Sequence, residues 1–163
     1  MVNQIHRSSK PAPPARDFGI LLALAYGAFV DDLREALAEA GYPDLHRSFG
    51  YMARMLADGP LTLRQVADRL EVTSPAALKV VANMVQGGYL ERLDDPEDGR
   101  ARKVRLTKKG CAALARARAF HRDFERALAR DVGREAVRKM RDALETVVAR
   151  REGGGQSVML RPV

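Results

Sequence analysis

The chain is poor in the features that usually announce chemistry. It has a single cysteine, Cys111, so no intrachain disulfide can form. Its three histidines, His6, His46 and His121, are scattered, and no HxxxH or CxxC spacing occurs, which argues against a zinc site. There is no G-x-S-x-G, no Walker loop, and no cysteine paired with a histidine in a local motif. The run Gly153-Gly154-Gly155 trails a helical pattern with no strand before it, so it is not expected to cradle a phosphate. No enzymatic activity and no cofactor is expected. No apolar run approaches the ~18 residues of a membrane span. The opening MVNQIHRSSKPAPPARD has no apolar core of a signal peptide. A cytoplasmic chain without a membrane partner is the expectation.

What is present is a foldable, basic sequence. Of 163 residues, 46% are hydrophobic and 30% charged, enough for one domain with a proper core. The net charge is +7 and the pI about 10.0. Such a balance favours a polyanionic partner, because Lys and Arg displace the counterions condensed on phosphates.

Periodicity predicts a mainly α chain with one small β-hairpin. Residues 1–17 carry Pro11, Pro13 and Pro14 among serines and bases and are expected to form a disordered arm. Residues 151–163 are expected to form a flexible tail. Between them, residues 18–40 read as a helix with Leu22, Tyr26, Phe29, Leu33 and Leu37 on one face. Gly41 and Pro43 end it. A second helix is expected over about 45–58, with Phe49, Met52 and Leu56 inward, stopped by Gly59-Pro60. Thr62 is a good N-cap for LTLRQVADRL, and Thr73-Ser74-Pro75 opens a further helix with Ala77, Val80, Val81 and Met84 on one side. The short link Glu71-Val72 makes these two a helix-turn-helix.

Next, YLERL and KVRL frame a loop bearing Pro96 and Gly99, which predicts a hairpin. Val104 and Leu106 should face the core, and Lys103 and Arg105 should face out. The loop switches sign abruptly, from Asp94, Asp95, Glu97 and Asp98 to Arg100, Arg102 and Lys103. Thr107 caps a long helix carrying Leu114, Ala117, His121, Phe124 and Leu128. A last helix after Gly133 carries Val137, Met140, Leu144 and Val147. A helix-turn-helix followed at once by a basic hairpin is a winged helix.

From Leu61 to Gly110 the chain also resembles the MarR family of bacterial transcription regulators. Asp95-Pro96, Asp98-Gly99-Arg100, Val104, Leu106-Thr107 and Gly110 match the order and spacing of that family's wing signature, and GYLER at 88–92 matches its strand entry. The resemblance implies one MarR-like domain over 18–150. A DNA-binding winged helix would span about 45–106, and helices at about 18–40 and 107–150 would form a dimerisation body. It implies a homodimer on double-stranded DNA, with the second helix of each helix-turn-helix in a major groove and each wing against a minor groove. A repressor of near-palindromic operators, released by a small ligand, is the implied function.

Residue by residue, the resemblance makes Arg100 the wing-tip arginine that enters the minor groove, and Asp98 the acid that orients it. Arg102, Lys103 and Arg105 become phosphate contacts. Ser74, Pro75, Leu78, Lys79 and Ala82 face outward. Thr73 and Ser74 can cap the helix or meet phosphate, Lys79 can meet phosphate or guanine, Leu78 can make only apolar contact, and Asn83 is an extra reader. Residues 78 and 82 depart from the family, which usually has polar or charged residues there.

The implied effector is a small aromatic or anionic molecule. Tyr26, His46, Arg47 and Tyr51 are its candidate ligands, with Phe29 and Phe49 as further lining. Arg47 and Tyr51, four apart on one helix face, are suited to a carboxylate. Cys111 reads as a small buried or half-buried residue, with thiol-based redox sensing as the alternative. His121 reads as a packing residue. A protein–protein module that kept the fold and lost specific DNA binding is a further alternative.

Overall fold

The computed structural model describes residues 16–45, 48–94 and 102–154. The chain forms two compact units, residues 1–32 and 33–163. Helix α1, Phe18–Glu39, begins in the first unit and ends in the second. Within the first unit its large apolar side chains Phe18, Ile20, Leu21, Leu22, Leu24 and Tyr26 are all exposed.

The second unit continues with α2 (Phe49–Met55), β1 (Leu61–Thr62), α3 (Leu63–Leu70), α4 (Ser74–Gln86), β2 (Leu90–Asp94), β3 (Arg102–Leu106), α5 (Lys108–Val132) and α6 (Arg134–Gly153). The strands form one antiparallel sheet in the order β1-β3-β2. Register sets Leu61 opposite Val104 and Leu90 opposite Leu106. Val104 is buried and Leu106 partly so, and both pack on the core beneath the sheet.

Local chemistry fixes the helix ends. Thr62 and Gln65 form a capping box: the Gln65 N–H donates to Thr62 Oγ1 at 3.2 Å, and the Thr62 N–H donates to Gln65 Oε1 at 2.8 Å. The Ala76 N–H donates to Thr73 Oγ1 at 3.4 Å, and the Gly110 N–H to Thr107 Oγ1 at 3.0 Å. Between α3 and α4 the chain turns through Glu71, left-handed at φ 51°, and the Val72 N–H returns to the Ala67 carbonyl at 3.1 Å. Gly88, at φ 75°, makes the equivalent exit from α4, and the Tyr89 N–H reaches the Met84 carbonyl at 2.9 Å.

One core holds these elements together. Phe49, Met52, Ala53 and Leu56 from α2 meet Val66 and Ala67 from α3, Ala77, Val81 and Met84 from α4, Tyr89, Leu90 and Val104 from the sheet, and Ala113 and Leu114 from α5. Phe49 tilts against Tyr89 with ring centroids 5.4 Å apart.

Several expectations are corrected. The hairpin is part of a three-stranded sheet, since Leu61–Thr62 adds an edge strand. Two residues are too few to show alternation, and the capping role of Thr62 masks the strand. Helix α2 is shorter than the expected 45–58. Beyond Met55 the Ala57 N–H bonds back only three residues, to the Arg54 carbonyl, and the chain unwinds into Gly59. The last helix runs to Gly153, three residues into the expected tail, with Arg150 and Arg151 favourably placed at its negative C-terminal end. Cys111 is exposed rather than buried. The buried stripe of α5 is Gly110, Ala113, Leu114 and Ala117, and Cys111 falls just off it.

Candidate nucleic-acid interface

Helix α4 has two clearly different sides. Ala77, Val81 and Met84 are buried against the core. The opposite side carries two ridges at four-residue spacing, Ser74–Leu78–Ala82–Gln86 and Pro75–Lys79–Asn83, and every one of these residues is exposed. Lys79 is the one charged residue of the helix, and no acid lies within it. A capped, rigid helix with a free face and no anionic side chain can enter a DNA major groove without repelling phosphate.

The mounting of α4 is specific. Tyr51 on α2 donates its hydroxyl to the Arg69 carbonyl of α3 at 3.0 Å, tying the first helix of the pair to the body. At the far end of α4 the Thr107 hydroxyl donates to the Gly88 carbonyl at 2.6 Å, and Lys109 Nζ donates to the Gly87 carbonyl at 2.8 Å. The same ammonium sits 4.3 Å from the centre of the Tyr89 ring. Gly110 permits this closeness: a Cβ there would run into the Tyr89 carbonyl oxygen and lie 2.9 Å from Leu106 Cδ2. The start of α5 is therefore clasped to the exit of α4.

The wing strands carry the expected bases. Arg105 is exposed and Lys103 half-buried, on the side of β3 opposite Val104. Arg105 is already engaged: its Nε donates to Glu91 Oε1 at 2.6 Å across the β2–β3 pair. An exposed pair of this kind is weak and easily exchanged for a phosphate. Arg102 opens β3 opposite Asp94, while Asp98 and Arg100 lie outside the described residues. Arg64 and Arg69 on α3 and Arg92 on β2 are also exposed, and sequence reasoning did not single them out. The Glu91–Arg105 pair and the Lys109–Tyr89 clasp were missed as well. Both join residues 14 or more apart, so no local spacing points to them.

Of the four candidate effector residues, Tyr26 and Tyr51 are among the described residues. Tyr26 is exposed in the first unit, Tyr51 bonds the Arg69 carbonyl, and His46 and Arg47 lie outside the described residues. Phe49 belongs to the core. His121 on α5 is half-buried, with Nε2 3.5 Å from an Arg54 guanidinium nitrogen of α2. Burial, and then the Arg54 charge, lowers its pKa below the ordinary 6.5. An open groove of about 580 Å³ at the α5–α6 elbow is lined by Asp123, Arg126, Ala129, Arg130 and Arg134. Among the described residues no set of His, Cys, Asp or Glu side chains is grouped to hold a metal ion, and no helix is long and apolar enough to cross a membrane.

A helix-turn-helix, an edge strand and a two-stranded wing on one core define a winged-helix protein. Residues 50–101 match the model of the MarR family. No curated protein matches the chain. Among solved structures, apo MarR from E. coli is 20% identical, with 83% of this chain and 99% of that chain covered and a TM-score of 0.63. A mutant MarR from E. coli complexed with operator DNA is 21% identical, with 80% and 92% covered and a TM-score of 0.62. The MepR–DNA complex from S. aureus is 18% identical, with 81% and 96% covered and a TM-score of 0.62. At these identities the likeness is one of fold.

Proposed function

We propose that this protein is a DNA-binding transcriptional regulator that acts in the cytoplasm as a homodimeric repressor of near-palindromic operators. The observation that carries this reading is the α4 face: seven positions on two ridges exposed, none acidic, on a helix capped at its start and clasped at its end. Similarly folded proteins have been solved on DNA, which supports the same partner here. In this account Thr73, Ser74, Leu78, Lys79 and Asn83 meet the major groove. Arg102, Lys103 and Arg105 meet phosphate, and Arg100, oriented by Asp98, enters the minor groove.

Dimerisation is supported by α6, whose Met140, Leu144, Val147 and Val148 are all exposed although they are large and apolar. The apolar start of α1 supports it equally. A dimer would read two half-sites about one helical turn, ~34 Å, apart. Release by a small aromatic or anionic effector completes the proposal, with Tyr26, His46, Arg47 and Tyr51 as its ligands.

Selection of bound duplexes from a random pool tests the reading. It is expected to return a near-palindromic sequence, and Arg100→Ala is expected to weaken binding to it. Failure to enrich any duplex would remove the regulator reading.

A further inference from the structure

Leu78 is 46% exposed at the middle of α4, while the other large aliphatic side chains of that helix face either the core or its margin. It has no part in the core. Its ridge neighbours are Ser74 and Ala82, four residues away on either side, and both are too small to shield it or to hold a groove at a distance. The parallel ridge offers one cation, Lys79, and one amide, Asn83. No arginine is present on α4, so the bidentate guanidinium pairing that most often selects guanine cannot come from this helix.

In a major groove the one apolar group on a base edge is the C5-methyl of thymine. We infer that Leu78 is a specificity-determining residue that selects thymine by packing on its C5-methyl, so that the half-site is read at this point by a methyl group rather than by a hydrogen bond. This rests on the DNA-binding reading above and deepens it. Removing the methyl while keeping every hydrogen-bonding atom, as deoxyuridine does, removes the contact alone. From the transfer free energy of one buried carbon, the loss is about fourfold in affinity per methyl, and about the square of that where both half-sites carry it.

The test uses the full chain and a duplex selected from a random pool. Each thymine is replaced in turn by deoxyuridine, and affinity is measured for the natural chain and for Leu78→Ala. Alanine keeps the helix propensity and adds no polar group, and the position is outside the core, so the variant should fold. The expected result is one thymine per half-site whose replacement weakens the natural chain about fourfold and leaves Leu78→Ala unaffected. Equal binding to thymine and deoxyuridine at every position would overturn the inference and leave the DNA-binding reading standing. A thymine effect that persists in Leu78→Ala would also overturn it, by showing that another side chain reads the methyl. If no duplex is selected at all, the regulator reading fails and takes this inference with it.

Discussion

The winged-helix core and the outer helices solve the problem of burial differently. In the first, α2, α3, α4, the sheet and the start of α5 bury their apolar side chains against one another, and Met52, Val66 and Ala77 are completely enclosed. In the second, α6 buries only Val137 and leaves Leu144 44% and Val147 61% exposed. Its exposed side chains form ion pairs instead. Arg138 bonds Glu135 at 2.6 Å and Asp142 at 3.2 Å, and Arg141 reaches back to Glu125 of α5 at 2.5 Å. The Arg138 guanidinium accordingly lowers the pKa of the Glu135 carboxyl. Exposed pairs of this kind are individually weak. The lobe thus buries its apolar side chains within one chain, whereas α6 and the start of α1 carry exposed apolar surface, which the proposed dimer would cover.

That contrast can be broken deliberately. The largest effect is expected from Leu144→Glu combined with Val147→Glu, which places charge on the exposed stripe of α6. Light scattering should show dissociation to monomers with helical circular dichroism retained, and a persistent dimer would move the interface elsewhere. Phe49→Ala attacks the other region. It empties a core site against Tyr89 and should cost about 3–5 kcal/mol in urea unfolding. Thr107→Val removes both the cap of α5 and the bond to Gly88, for a loss of about 1–2 kcal/mol by the same measurement. The smallest effect concerns His121. Its folded-state pKa is lowered, so below the ordinary value the unfolded chain takes up a proton that the folded chain resists. Stability should therefore fall as pH drops from about 7 towards 5.5 and His121→Gln should flatten that slope. An unchanged slope would mean that other groups set it.

Much of the fold was legible because it is written in local chemistry. Thr73 and Thr107 cap the helices they were expected to cap, and the exits at Glu71 and Gly88 follow from short turns. The alternation in KVRL placed Val104 inside and Arg105 outside. The outward set Ser74, Pro75, Leu78, Lys79 and Ala82 is exposed throughout. What escaped depended on partners distant in sequence. Leu61–Thr62 is a strand only because Val104 and Lys103 pair with it. Cys111 lay one position off a buried stripe whose phase is set by the close approach of Gly110 to Tyr89. The expected apolar face of α1 forms a helix, but Leu22 and Tyr26 on it remain exposed. Periodicity marks an apolar face without saying whether the same chain covers it.

The central claim is that this lobe grips double-stranded DNA through its basic wing and α4. It is tested most directly by the affinity for a selected duplex as salt is raised from about 50 to 200 mM. The account predicts a steep linear fall of log affinity against log salt, about 0.9 per phosphate neutralised, and a shallower slope, by about one, in Arg105→Ala. Affinity that does not change with salt would contradict it.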